Sequence, residues 1–131
     1  MKESSERWML VVDDEPDMRW LLARVFQRAG WKVQTAGSGA EALSCLEKRT
    51  FTAVVIDWRL TDMDGTELTE KIKRIDSSAA IVMMSGCDPK DTSIRKAYSE
   101  DLIECFLPKP FIHEHIIQSA ELAVSRKKGH K

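Results

Sequence analysis

The stretch AVVIDWRLTDMDG, residues 53–65, carries a continuous apolar run into Asp57, turns through polar residues and reaches Gly65, beyond which Leu68, Ile72 and Ile75 recur at helical spacing. An apolar run with β-branched content reads as a strand buried on both faces, and the change of period after Gly65 reads as strand, turn and helix. A core strand that ends on a carboxylate delivers that carboxylate to one edge of a sheet.

The same unit repeats on either side. Residues 8–12, WMLVV, stop at Asp13 and Asp14; from Pro16 the apolar positions Met18, Leu21, Leu22, Val25, Phe26 and Ala29 take helical spacing, and Gly30 ends it. Residues 32–36, KVQTA, predict a second strand, and Ser38 with Glu41 predicts a capping box for a helix bearing Ala42, Leu43 and Leu46. The run AAIVMMS at 79–85 is a fourth strand, followed by a weaker helix at about 90–99. LIECFL at 102–107 is a fifth, leading through Pro108, Lys109 and Pro110 to a last helix with Ile112, Ile116, Ile117, Ala120 and Val124. Five strand–helix units predict an α/β fold with a parallel sheet covered on both faces, whose function sits beyond the carboxyl ends of its strands.

A chain of 131 residues with 43% hydrophobic content fits one domain. Twenty basic against 21 acidic residues give no global pull toward nucleic acid or an anionic membrane, so neither partner is expected. The apolar runs are too short for a membrane span and MKESSERWM lacks the apolar core of a secretory signal, so a cytoplasmic location is expected. Cys45, Cys87 and Cys105 form no CxxC pair, and reduced, partly buried thiols are expected. His113 and His115, two apart on a helix, point in different directions and read as solvated side chains rather than metal ligands.

The strand ends hold the chemistry. In a parallel sheet Asp13, Asp14, Asp57, Ser85 and Lys109 reach the same edge. Singly, the aspartates could cap a helix, the serine could satisfy a turn and the lysine could be solvated. Jointly, three carboxylates repel one another unless a cation neutralises them, and oxygen-only ligands suit magnesium, or manganese in its place, better than zinc. The acidic loop DDEPD would repel the phosphate of a flavin, which excludes flavin binding.

VVDDEPDMR at 11–19, VVIDWRLTDMDG at 54–65, MSG at 84–86 and FLPKPF at 106–111 together resemble the receiver domain of bacterial two-component response regulators, over residues 8 to 126. The resemblance implies a flavodoxin-like three-layer (βα)5 sandwich with strand order 2-1-3-4-5, a single receiver domain over 1–131, and a basic tail or the start of a linker at 127–131. It implies that Asp57 is the phosphoacceptor, that Asp13, Asp14, Asp57 and the backbone carbonyl of Arg59 bind magnesium, and that Ser85 and Lys109 contact the phosphoryl group. Ser85 and Phe106 would be the switch residues, and the Lys109–Pro110 bond would be cis. The phosphoryl donor would be a sensor histidine kinase or phosphotransfer protein. The recipient of the signal would be a downstream protein or an output domain outside this chain, and a homodimer would form through the face of the fourth helix, fifth strand and fifth helix. Such a protein is a signalling phosphoacceptor in a phosphorelay, not an enzyme beyond its own phosphotransfer and slow dephosphorylation.

Three features depart from the family pattern. Phe106 lacks the hydroxyl of the commoner tyrosine, Thr61 stands where proline is frequent, and YSEDLIEC at 98–105 lacks a glycine before the last strand. Arg59 and Cys87 flank the approach of a hydrolytic water, and neither is an amide or carboxylate that would orient it, so slow self-dephosphorylation is expected. RKKGHK at 126–131 reads as a solvated helix end rather than a DNA contact. Two other classes compete: a non-phosphorylated receiver-like adaptor, opposed by the intact site residues, and a metal-dependent phosphatase, opposed by Arg59 where a second acid is needed.

Overall fold

A computed structural model describes residues 6–86 and 102–129. The helix expected at 90–99, Cys87, the first half of the 98–105 connection and the last two residues of the tail lie outside the described residues. Five strands, β1 (Trp8–Val12), β2 (Lys32–Ala36), β3 (Ala53–Asp57), β4 (Ala80–Ser85) and β5 (Cys105–Pro108), form one parallel sheet in the order β2-β1-β3-β4-β5. The described helices are α1 (Pro16–Arg28), α2 (Gly39–Lys48), α3 (Gly65–Ile75) and the C-terminal α4 (His113–Gly129).

Continuous apolar strands are explained by their two buried faces. Met9, Val11, Val55, Val82 and Met84 point toward α1 and α4, meeting Leu22, Phe26, Ile116 and Ala120. Their alternating neighbours Leu10, Val12, Val54, Ile56, Ile81 and Met83 face the other way, against Ala42, Leu46, Leu68 and Ile72 of α2 and α3. Each fully buried large side chain contributes roughly 1.5–3 kcal/mol. At the helix ends, Pro16 occupies the first turn of α1 and Gly30 takes a φ of 97° just beyond it, a conformation that costs glycine nothing.

Two expectations are corrected in detail. Ser38 does cap α2 by accepting from the Glu41 amide, yet the Glu41 carboxylate accepts from the Gly37 amide, so the box does not close back on Ser38. The fifth strand begins at Cys105 rather than at residue 102, because at Glu104 a side chain takes the place of the backbone acceptor in the ladder. Its amide donates to the Ile81 carbonyl at 2.9 Å, while its own carboxylate accepts from the Ile81 amide at 2.7 Å, taking the donor that a longer strand would have used.

Glu104 is also where the basic end of α4 is fastened. Lys73 and Lys127 lie 3.5 and 3.7 Å from its carboxylate, and Arg126 donates to its carbonyl at 2.7 Å. Arg126 and Lys127, expected to be solvated, are therefore partnered. Burial pushes the Lys73 ammonium down to about 8, with Lys127 adding repulsion and Glu104 opposing it. Glu104→Ala would leave two lysines facing each other without their acid, a loss expected to cost about 3 kcal/mol of stability. Urea denaturation checks this; Glu104→Gln, which keeps an acceptor for the Ile81 amide, should lose less.

Candidate functional site

The carboxyl ends of β1, β3 and β4 and the loop after β5 bring the charged residues together. The Asp13 amide continues the β1–β2 ladder by donating to the Ala36 carbonyl at 3.1 Å. Its Oδ1 then accepts from the Glu15 amide at 2.9 Å, turning the chain into α1, whose N-cap Glu15 makes no side-chain bond of its own. Half of the Asp13 carboxylate thus does the local work expected of a turn residue. The other oxygen, Oδ2, is buried with no hydrogen-bond partner among the described residues, and the Lys109 ammonium lies 3.8 Å from it.

Asp57, the last residue of β3, is buried, and its two oxygens have different neighbours. Oδ2 accepts from Lys109 Nζ at 3.2 Å, and Oδ1 accepts a long bond, 3.3 Å, from the Arg59 amide. Asp13, Asp14 and Asp57 each offer an oxygen within 4.8 Å of the others, with Asp14 only half-buried. Burial pushes the Asp13 carboxyl up to about 6; the Glu15 amide opposes this, and the charges of Asp57 and Asp14 reinforce it. Three acids facing one lysine leave an excess of negative charge around an orphaned oxygen. That donor set fits a hard divalent cation with oxygen ligands and would gain from one electrostatically.

Beside the acids a cavity of about 330 Å³ is lined by Asp57, Arg59, Ser85, Gly86 and Lys109. Ser85 closes β4 with almost no exposure, and the Lys109 amide donates to its carbonyl at 2.8 Å, continuing the ladder from β4 into the loop that carries the ammonium. The Lys109–Pro110 peptide is cis, as expected. Phe106, paired with Met83, is half-buried and packs with the cluster on the α2 and α3 face, away from the cavity lining. His113 and His115 are exposed, and Cys45 and Cys105 are buried free thiols.

One participant was not anticipated. The turn after Asp57 is closed at its base by the Gly65 amide donating to the Trp58 carbonyl at 2.7 Å and by a bridge pairing Arg59 with Asp64. At its tip the Asp62 carboxylate accepts from the Gly39 and Ala40 amides, at 2.9 and 3.0 Å, at the start of α2. These amides hold the Asp62 carboxyl below its usual range. The sequence signal, an acid among other turn acids, is indistinct because its partners are 23 and 22 residues away.

The family model of the response regulator receiver domain matches residues 9–121. The DNA-binding transcriptional regulator NtrC of Escherichia coli K12 is 32% identical over 115 residues, which make up 88% of this chain and 24% of that protein. The chain therefore spans about a quarter of the length of this curated relative. A CheY-like receiver domain protein from Methanospirillum hungatei superposes with a TM-score of 0.85 at 22% identity, covering 97% of this chain and all of that one. The response regulator TrrA of Thermotoga maritima, solved in complex with Mg²⁺ and BeF, gives a TM-score of 0.78 at 24% identity over 89% of this chain and 98% of that one. Among the described residues no helix is long and apolar enough to cross a membrane.

Proposed function

Because the chain belongs to the response regulator receiver domain family, we propose that it works as a phosphorylation switch, with Asp57 taking a phosphoryl group from a histidine kinase or phosphotransfer protein. The observation that carries the reading is the asymmetric setting of Asp57. One oxygen is held by Lys109, the other is only weakly engaged by the Arg59 amide, and a cavity large enough for a phosphoryl group lies in front of them.

Asp13, Asp14 and Asp57, with the Arg59 carbonyl, would hold magnesium or manganese, and the bound ion would supply charge neutralisation for the phosphoryl oxygens. An Asp57 oxygen forms the bond to phosphorus as the donor's phosphorus–nitrogen bond breaks, and the imidazole leaves with that electron pair, neutral because its other ring nitrogen carries a proton. Lys109, already paired with Asp57, stays within reach of the new phosphoryl oxygens, and the Ser85 hydroxyl at the cavity wall donates to them. Phosphorylation then biases an equilibrium between two packings in which Ser85 and Phe106 differ. The output is read by a downstream protein or by an output domain of the kind that longer relatives contain, and a homodimer on the face around β5 and α4 is a third readout. Among the described residues that line the cavity, none other than the acceptor Asp57 is an amide or acid that would aim a hydrolytic water, which supports a long-lived phosphoryl group.

Trp58 tests the reading directly, since its half-buried indole donates to Thr66 Oγ1 at 3.3 Å one residue from the acceptor. Magnesium should change tryptophan emission, acetyl phosphate should change it again, and the intact mass should rise by one phosphoryl group. A magnesium response without the second change or the mass gain would favour the adaptor; turnover of a phosphomonoester would favour a phosphatase.

A further inference from the structure

The turn after the acceptor is tied down at a point remote from the acceptor itself. Asp62 makes two hydrogen bonds to the first amides of α2, and Met63 beside it lies so close to Gly39 that a Cβ there would come within 2.6 Å of its sulfur. Base and tip of the 58–65 turn are thus both fixed, the base by its own backbone pairing and the tip by another helix. Arg59 belongs to that base through its pairing with Asp64, its amide reaches Asp57 and it forms one wall of the cavity. Without the tie at the tip, residues 60–63 would hang on that base alone, and their motion would load the Arg59–Asp64 pairing that holds the Arg59 main chain. Proline, which would stiffen this turn through φ, is absent, because residue 61 is threonine.

We propose that Asp62 is a positioning residue that locks the acceptor turn onto the N-terminus of α2 and so sets the affinity of the acidic site for its divalent cation and for a phosphoryl group. The inference rests on the cation-dependent phosphoacceptor reading. Outer partners that hold metal ligands in place are worth about ten- to a hundred-fold in metal affinity when lost, and Asp62 would act one step further back, through the turn whose base holds the Arg59 main chain. The coupling is reciprocal: a ligand that favours the docked turn must also tighten the contact at α2. Occupation of Asp57 is therefore felt at Gly39 and Ala40 on a different helix.

The experiment is a magnesium titration of wild type and Asp62→Ala, followed by tryptophan emission at about 0.1 M and about 1 M salt. An exposed carboxylate could also attract magnesium over a distance, but with a Debye length of about 3 Å at 1 M salt that contribution vanishes, whereas a docking effect survives. The expected result is a midpoint raised about ten-fold at both salt concentrations. Slower hydrogen exchange of the Gly39 and Ala40 amides in wild type on adding magnesium with beryllium fluoride is the second readout. Asp62→Asn, which keeps one acceptor oxygen, should fall between the two and substitutes for the alanine variant if that one does not fold. An unchanged midpoint, or a shift present only at low salt, overturns the role of Asp62. A wild-type protein that shows no response to magnesium overturns the phosphoacceptor reading instead.

Discussion

Asp57→Asn is expected to abolish incorporation of a phosphoryl group from acetyl phosphate, with no mass gain at any magnesium concentration, while the protein stays folded. The amide keeps the shape of the side chain and an oxygen that can accept from Lys109 or from the Arg59 amide, the two contacts that Asp57 makes. What it loses is the anionic oxygen that would attack phosphorus in the proposed reaction. Asp13 has one oxygen committed to the Glu15 amide and is fully buried. Incorporation that persisted in Asp57→Asn at the wild-type rate would move the acceptor to another carboxylate.

The second large effect combines a gain with a loss. Asp13→Asn is expected to weaken magnesium binding by more than about 100-fold, beyond what the loss of an outer partner costs, and yet to raise the melting temperature of the metal-free protein. The sign follows from linkage. Asp13 has a folded-state pKa of about 6, raised chiefly by burial, so between its unfolded value and about 6 the folded state holds the proton more tightly. Its contribution to stability is therefore greatest in acid and falls as pH rises through that window. At about pH 7.5 the charged form costs on the order of 3 kcal/mol, which asparagine avoids. Below about pH 4 both proteins carry a neutral side chain at this position, and the advantage of the variant should disappear. Thermal unfolding in a chelator at the two pH values, beside a magnesium titration, checks both halves. A variant less stable than wild type at neutral pH would mean that the orphaned Asp13 oxygen is not a liability of the metal-free fold.

Strand ends were the most legible part of the chain. WMLVV, AVVID and the 79–85 run are short, apolar and stopped by polar residues, which is how a strand covered on both faces must read, and Asp13, Asp57 and Ser85 do emerge at one edge. Glu104 was not legible, since an acid inside LIECFL reads as a polar interruption of a strand. Only the fold brings the Ile81 amide and the lysines of two other helices to its carboxylate. Asp62 was hidden for the same reason: hydrogen bonds to a helix far along the chain leave no periodicity. The asymmetry of the two Asp13 oxygens is equally invisible in a string of letters, because it depends on which of them the turn into α1 consumes.

The fastening of α4 has a consequence for anyone who would rebuild this molecule from parts. Its far end is held by Arg126 and Lys127 on Glu104, and partway along it Glu121 receives a two-pronged contact from Arg7, so residues of the opening segment, of α3 and of the approach to β5 all serve the same helix. The helix is not an interchangeable module. A chimera that imports only residues 113–129 from a relative would strand Glu104 and Lys73 as mismatched charges. A graft that respects the molecule's seams must carry Arg7, Lys73 and Glu104 along with it.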